Sequence, residues 1–413
     1  MWLDFYAVKK TSVLLDRLSE SATLAMARMS RELKAQGHDV IGLSLGEPDF
    51  DTPNFIKDAA KKAIDENFSH YTPVNGLQEV REAISIKFKR DNDLDYTAEQ
   101  IVMSTGAKQS IANIVMSLVN PGDEVMLPAP YWVSYSEIVK LAGGIPVVLK
   151  TEIEHDFKIG PDLLEAGITD KTKMMIFSSP CNPSGTVYTK DELTALADVI
   201  AKYPNLFVVA DEIYELINFQ GPGYSLACDK RVYDQVITVN GVSKGFAMTG
   251  WRLGYIGAPE WIAKACTKIQ GQITSAPCAI SQKATQAAVE AAPATVDYMK
   301  TAFNERRKYV ISRLQKINGV IINEPKGAFY VFPDVADLYG KIAPNGDAIN
   351  TDNDFAMYLL KEANVAVVAG GAFGLTNCIR ISYAASMDRL VEAMNRIEKA
   401  LNALETNQAL KNG

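Results

Sequence analysis

Short apolar runs alternate with amphipathic stretches through the middle of the chain, and no other feature constrains the fold as much. The runs at residues 124–127, 145–149, 173–177, 206–210, 235–239 and 254–257 have the length and apolar character of buried strands. Helical patterns lie between several of them. Leu77, Val80, Ile84 and Phe88 recur at helical spacing, and Thr189 with Glu192 forms a capping box ahead of Leu193, Leu196 and Val199. Buried strands alternating with helices predict an α/β domain built on a mostly parallel sheet.

The C-terminal third has a different rhythm. A helical region rich in Ala and Lys over residues 279–316 leads to Gly327-Ala328-Phe329-Tyr330-Val331-Phe332, then to apolar runs at 365–368 and 378–382 and a last helix reaching about Leu404. This pattern predicts a second, smaller α+β domain. The N-terminal segment carries a helix over 23–37 and a strand-turn over 40–48, and is expected to pack with the smaller domain. At 413 residues the chain is long enough for both units.

Several function classes are excluded early. A net charge of −7 with no basic tract argues against nucleic-acid binding. No segment reaches the roughly 20 uninterrupted apolar residues that span a bilayer, and the first ten residues lack the pattern of a secretory signal. Five cysteines, Cys181, Cys228, Cys266, Cys278 and Cys378, are dispersed without metal-site spacing. They suit a reduced, cytoplasmic setting better than a disulfide framework. His38, His70 and His155 form no metal motif, no Gly-x-Ser-x-Gly elbow is present, and no Gly-x-Gly-x-x-Gly follows a strand. Neither a metal site, a serine hydrolase nor a dinucleotide-binding dehydrogenase is expected.

Chemistry concentrates around Lys244, in the run Val239-Asn240-Gly241-Val242-Ser243-Lys244-Gly245-Phe246-Ala247-Met248-Thr249-Gly250-Trp251-Arg252. A lysine among small and apolar neighbours loses its proton more readily than one in water, and a neutral amine attacks aldehydes. On this stretch alone a buried structural lysine or a phosphate-binding charge fits equally well. Five further features change the balance. Gly106-Ala107-Lys108 open an apolar helix, whose first N–H groups suit a phosphate. Trp132 follows a strand end, where an indole can cover a flat ring, although core packing accounts for a lone tryptophan. Asn182 begins Asn182-Pro183-Ser184-Gly185 and either makes a turn or donates to a phenolate oxygen. Asp211 ends a buried strand at the crevice edge of the sheet. Its carboxylate needs a partner such as a protonated pyridine, a helix cap or a salt bridge, and Tyr214 lies three residues on. Arg252 can clamp a phosphate, and Arg380, inside an apolar strand, is costly unless it faces an anion. Together these side chains form the inventory for pyridoxal phosphate acting on an amino acid.

With these residues assembled, the chain resembles the fold-type I aminotransferases, and most of all the bacterial aspartate aminotransferase subgroup. The likeness runs from about Leu18 to the last helix. It is carried by Ser21-Ala22-Thr23, Gly46-Glu47-Pro48-Asp49-Phe50, Tyr71-Thr72-Pro73, Gly106-Ala107-Lys108-Gln109, Pro130-Tyr131-Trp132-Val133-Ser134-Tyr135, Asn182-Pro183-Ser184-Gly185, Asp211-Glu212-Ile213-Tyr214, Ser243 to Arg252, and Arg380-Ile381-Ser382-Tyr383. The resemblance implies a large domain over residues 51–300 with a mostly parallel seven-stranded sheet, and a small α+β domain from 1–50 and 301–413.

It also implies roles. Lys244 would carry pyridoxal 5′-phosphate as an internal aldimine and act as the base of a 1,3-proton shift. Asp211 would pair with the pyridine nitrogen, Tyr214 and Asn182 would contact the ring oxygen, and Trp132 would stack on the ring. Gly106, Ala107, Ser243 and Arg252 would hold the phosphate, joined by Tyr71 from a neighbouring subunit of a homodimer. Gly46, Trp132, Asn182 and Arg380 would surround the substrate, with Lys108 near its side-chain carboxylate. The implied reaction is aspartate plus 2-oxoglutarate to oxaloacetate plus glutamate. Aromatic, kynurenine or prephenate transamination, or a β-lyase, are the alternatives on the same fold. Two positions depart from the family pattern. Cys181 stands where an asparagine is common, and Ser19 where prephenate-accepting relatives often carry a basic residue.

Overall fold

A computed structural model describes residues 11–406. Its centre is a seven-stranded sheet. In chain order, after a short β1 (Ile41–Gly42), its strands are β2 (Ile101–Ser104), β3 (Glu124–Ala129), β4 (Ile145–Lys150), β5 (Thr172–Ser178), β6 (Phe207–Asp211), β7 (Val236–Gly241) and β8 (Gly254–Gly257). The spatial order is β2-β8-β7-β6-β5-β3-β4, and β8 alone runs antiparallel to its neighbours. The six strand runs read from the sequence all appear, with no end moved by more than two residues. The seventh, β2, is only four residues long.

Apart from the edge strand β4, where Ile145 and Val148 are exposed, the sheet is buried on both faces, which is why its strands read as continuous apolar runs rather than alternating ones. Along β6, Val208 and Ala210 enter one core while Phe207 and Val209 enter the other. Helices cover both sides. The helix Lys190–Ile200 begins where the capping box predicts: Thr189 N donates to Glu192 Oε2 at 2.7 Å, and Glu192 N donates to Thr189 Oγ1 at 3.3 Å. The 77–88 pattern becomes the helix Gln78–Asn92, with Leu77 as its extended N-cap.

The helical region read over 279–316 consists of two helices, Ala279–Glu290 and Asp297–Leu314, joined through the short 3-10 turn Pro293–Val296. Pro293 offers no N–H and pushes the preceding residue out of the helical region, and Ala292 is accordingly extended at φ −64°, ψ 139°.

Beyond the large sheet the chain forms short strands: β9 (Tyr330–Val331), β10 (Lys341–Ile342), β11 (Ala348–Ile349), β12 (Val365–Ala366), β13 (Val368–Ala369), β14 (Ile379–Ser382) and β15 (Glu405–Thr406). The order β13-β14-β9 makes a small antiparallel sheet that carries Arg380. β1 pairs in parallel with β12, so the N-terminal strand-turn joins this C-terminal part as expected. Among the described residues no helix is long and apolar enough to cross a membrane, and no cluster of His, Cys, Asp or Glu could hold a metal.

Candidate active site

Five strands of the large sheet run in one direction toward the site, and the loops after their carboxyl ends supply its side chains. The loop after β2 gives Gly106, Ala107 and Lys108; the loop after β3 gives Trp132; the loop after β5 gives Asn182. β6 ends on Asp211, and Ser243 and Lys244 follow β7. Strand register brings Ser178, Asp211 and Val239 level across β5, β6 and β7. These loops enclose a cavity of about 120 Å³ lined by Ala107, Lys108, Trp132, Asn182, Asp211, Tyr214, Ser243, Lys244 and Arg252. Residues spread over more than a third of the sequence thus meet in one place.

Lys244 is half-buried, and its Nζ donates to the carbonyl of Gly46 at 2.5 Å. Burial pulls its amine down to about 8, with Arg380 and Arg252 acting the same way and Glu47 opposing them. A lysine in that range is a usable base and nucleophile near neutral pH. Asp211 is 5% exposed. Burial lifts its carboxyl to about 6, held from rising further by the Tyr135 hydroxyl, the Ile213 N–H and the Lys244 charge. Oδ2 accepts from Tyr135 Oη at 2.6 Å, and Oδ1 accepts from Ile213 N at 3.2 Å.

Tyr214 is buried and shares a hydrogen bond with Tyr330, Oη to Oη at 2.8 Å. Trp132 has the Lys108 ammonium 5.1 Å above its ring. Arg252 adopts a left-handed φ of 54°, which bends its guanidinium back over the start of the helix Ala107–Leu118. Gly106, at φ +82°, lies so close that a Cβ there would come within 2.4 Å of Arg252 Nη2. Backbone N–H groups at a helix start and a guanidinium on one spot make an anion seat.

Arg380 is 1% exposed. Its Nη1 donates to Asn182 Oδ1 at 2.9 Å, its Nη2 donates to the Ser44 carbonyl, and its guanidinium lies over the rings of Tyr330 and Phe373. Nε has no partner, and among the described residues no carboxylate pairs with it. Gly46 is pressed against Tyr330, whose Oη would lie 2.3 Å from a Cβ at that position.

All but one of the residues expected at the site therefore gather around this cavity, directly or, for Gly46, Arg380 and Gly106, through Lys244, Asn182 and Arg252. Tyr71 does not: it is fully exposed and lines no part of the cavity. Two residues at the site received no role from the sequence, Tyr135 and Tyr330. Tyr135 lies three residues beyond Trp132, and that spacing on a helix start was the available signal. Glu212, next to Asp211, faces a separate cavity with Arg90 and Glu215.

An α/β sheet whose strand ends bring together a lysine and a carboxylate, with the Arg252 guanidinium beside them and that of Arg380 on the small sheet, suits chemistry on amino or carbonyl groups of anionic substrates. The comparisons narrow this. Residues 38–397 match the family described as Aminotransferase class I and II, and the chain belongs to that family. It is 48% identical over 394 residues to a probable aspartate/prephenate aminotransferase of Rhizobium leguminosarum bv. phaseoli, covering 94% of this chain and 98% of that one. It is 46% identical to an aspartate/prephenate aminotransferase of Cereibacter sphaeroides, covering 93% and 96%. Among solved structures, the aspartate aminotransferase of Rhizobium meliloti superposes with a TM-score of 0.93 at 40% identity, covering 96% of this chain and all of that one. The chain is a transferase of the fold-type I architecture, as the sequence motifs implied.

Proposed function

We propose that this protein is a pyridoxal-phosphate-dependent aminotransferase that moves the amino group of aspartate to 2-oxoglutarate, giving oxaloacetate and glutamate. The observation that carries the reading is a half-buried lysine amine sharing one cavity with a buried carboxylate, between two guanidiniums suited to two different anions. The residues fit the cofactor. Arg252, Gly106 and Ala107 form a seat for its phosphate, with Ser243 beside it, and the close contact at Gly106 leaves room for backbone only. Asp211 suits a protonated ring nitrogen, Tyr214 and Asn182 the ring oxygen, and Trp132 a ring face. When bound, pyridoxal phosphate supplies an electron sink for the pair left behind when a Cα–H bond breaks.

The chain's own residues do the rest. Lys244 Nζ holds the cofactor and, once displaced by the substrate amine, accepts the Cα proton. Arg380 receives the α-carboxylate in a bidentate pair, with its unpartnered Nε available to that anion. Asn182 fixes the guanidinium, and Gly46, lacking a Cβ, makes room for the Tyr330 hydroxyl. Lys108, whose ammonium lies over the Trp132 ring, is assigned to the side-chain carboxylate, a role that would favour aspartate and glutamate over neutral substrates.

Tyr71, exposed in the single chain, is assigned to the site of a neighbouring subunit, and the active form to a homodimer with shared sites. Residues 51–300 are taken as the cofactor-binding domain, and 1–50 with 301–413 as the small one. The cytoplasm is the expected compartment. Prephenate as an amino acceptor is a second reading, supported by the printed names of the R. leguminosarum and C. sphaeroides relatives.

The absorbance spectrum of the purified protein tests this directly. A yellow band lost on adding L-aspartate and restored by 2-oxoglutarate is expected. Restoration by prephenate as well would add the second substrate. A yellow protein that ignores aspartate would move the substrate elsewhere, and a protein that takes up no pyridoxal phosphate would overturn the assignment.

A further inference from the structure

Tyr135 belongs to no established role in this site, yet it touches two of its main parts. It sits on the helix Ser134–Leu141 and is fully buried. Its hydroxyl donates to Asp211 Oδ2 at 2.6 Å, while its ring meets Trp132 edge-on at 5.5 Å and 87°. Asp211 thereby has one fold-supplied donor on each oxygen, Tyr135 on Oδ2 and the Ile213 N–H on Oδ1.

We infer that Tyr135 is a positioning residue: its hydroxyl fixes the plane of the Asp211 carboxylate and keeps it the weaker base of the pair it forms with the cofactor's ring nitrogen. This rests on the reading that sets Asp211 against that nitrogen. A proton shared by two bases stays on the stronger one. A buried carboxylate is a strong base, because burial disfavours its anion, and a donated hydrogen bond stabilises the anion and weakens the base. Without the Tyr135 donor the proton would shift toward Asp211, and the ring would lose its positive charge. The tyrosine is suited to donate at every working pH, since burial and the adjacent Asp211 charge hold its hydroxyl well above 10. Lys244 is the other charged group acting on Asp211, and it too favours the anion.

Tyr135→Phe separates the hydroxyl from the ring, because phenylalanine keeps the edge contact with Trp132. The holoenzyme is loaded with cofactor carrying ¹⁵N in the ring, and the nitrogen is titrated by NMR. In Tyr135→Phe the midpoint of ring deprotonation should fall by about one pH unit, and the cofactor dissociation constant should rise roughly ten-fold. Site-specific 3-fluorotyrosine, which preserves packing and donates more strongly, should not lower the midpoint. An unchanged midpoint in Tyr135→Phe, or a lowered one with fluorotyrosine, overturns the inference. Asp211→Asn separates it from the underlying assignment. Loss of ring protonation in Asp211→Asn with none in Tyr135→Phe refutes the Tyr135 role alone, whereas retention in both refutes the Asp211 pairing.

Discussion

At the scale of single residues, neighbours in sequence can live in opposite environments. Asp211 opens into the active site, while Glu212 is buried at 8% exposure and faces the cavity on the other side. Burial first, then repulsion from Glu215 and Asp211, lifts the Glu212 carboxyl from the ordinary 4.5 to about 8. Between those values the folded chain holds a proton that the unfolded chain releases, so stability falls as pH rises through that window and levels off above it. Replacing Glu212 by Gln should remove on the order of a few kcal/mol of this loss. Urea midpoints at pH 5 and pH 8.5 should then diverge between wild type and variant, and parallel profiles would show that Glu212 is already charged in the fold. Lys244, Asp211 and Arg380 were readable from sequence because a charged group in an apolar run demands an explanation. Tyr135 and Tyr330 were not, because a tyrosine in an apolar setting is ordinary. Their hydroxyl partners lie 76 and 116 residues away, which no local pattern encodes.

At the scale of elements, the site depends on how closely β8 approaches the helix Ala107–Leu118. A Cβ on Gly254 would stand 2.3 Å from the Ala107 nitrogen, one of the groups assigned to the phosphate seat. The obstacle is backbone, so Gly254→Ala must displace the helix start. Overpacking of this kind costs about 1–3 kcal/mol, and a comparable loss in cofactor affinity, roughly ten-fold or more, is expected with the far-ultraviolet spectrum unchanged. Normal affinity for pyridoxal phosphate in this variant would remove the helix start from the phosphate site. The α/β alternation and six of the seven strands were legible because burial of the sheet leaves uninterrupted apolar runs. β2 escaped notice because its apolar run is only Ile101-Val102-Met103 between polar Gln100 and Ser104, whereas the equally short β8 lies in an unbroken stretch without polar residues from Leu253 to Ala258. The helix pair was read as one helical region because strong helix formers on both sides of Pro293 outweighed the break that proline imposes.

At the scale of the whole molecule, the sequence's likeness to its family, rather than any local pattern, is what points to a site shared by two chains. Tyr71 is fully exposed in one chain, and the resemblance assigns it to a partner's phosphate. Sedimentation velocity should show a dimer. Tyr71→Phe should weaken cofactor binding several-fold without changing that dimer, and equal affinity in variant and wild type would free Tyr71 from the role. Arg380 gives the molecule a further property. Its guanidinium lies in the interior with stacked rings, an amide and a carbonyl around it, and no negative charge pairs with it among the described residues. The folded chain is therefore electrically unfinished at its centre. On the proposed role of Arg380, a substrate carboxylate would complete the interior as a buried counter-ion does, and the substrate would serve for the length of a turnover as part of the protein's own core.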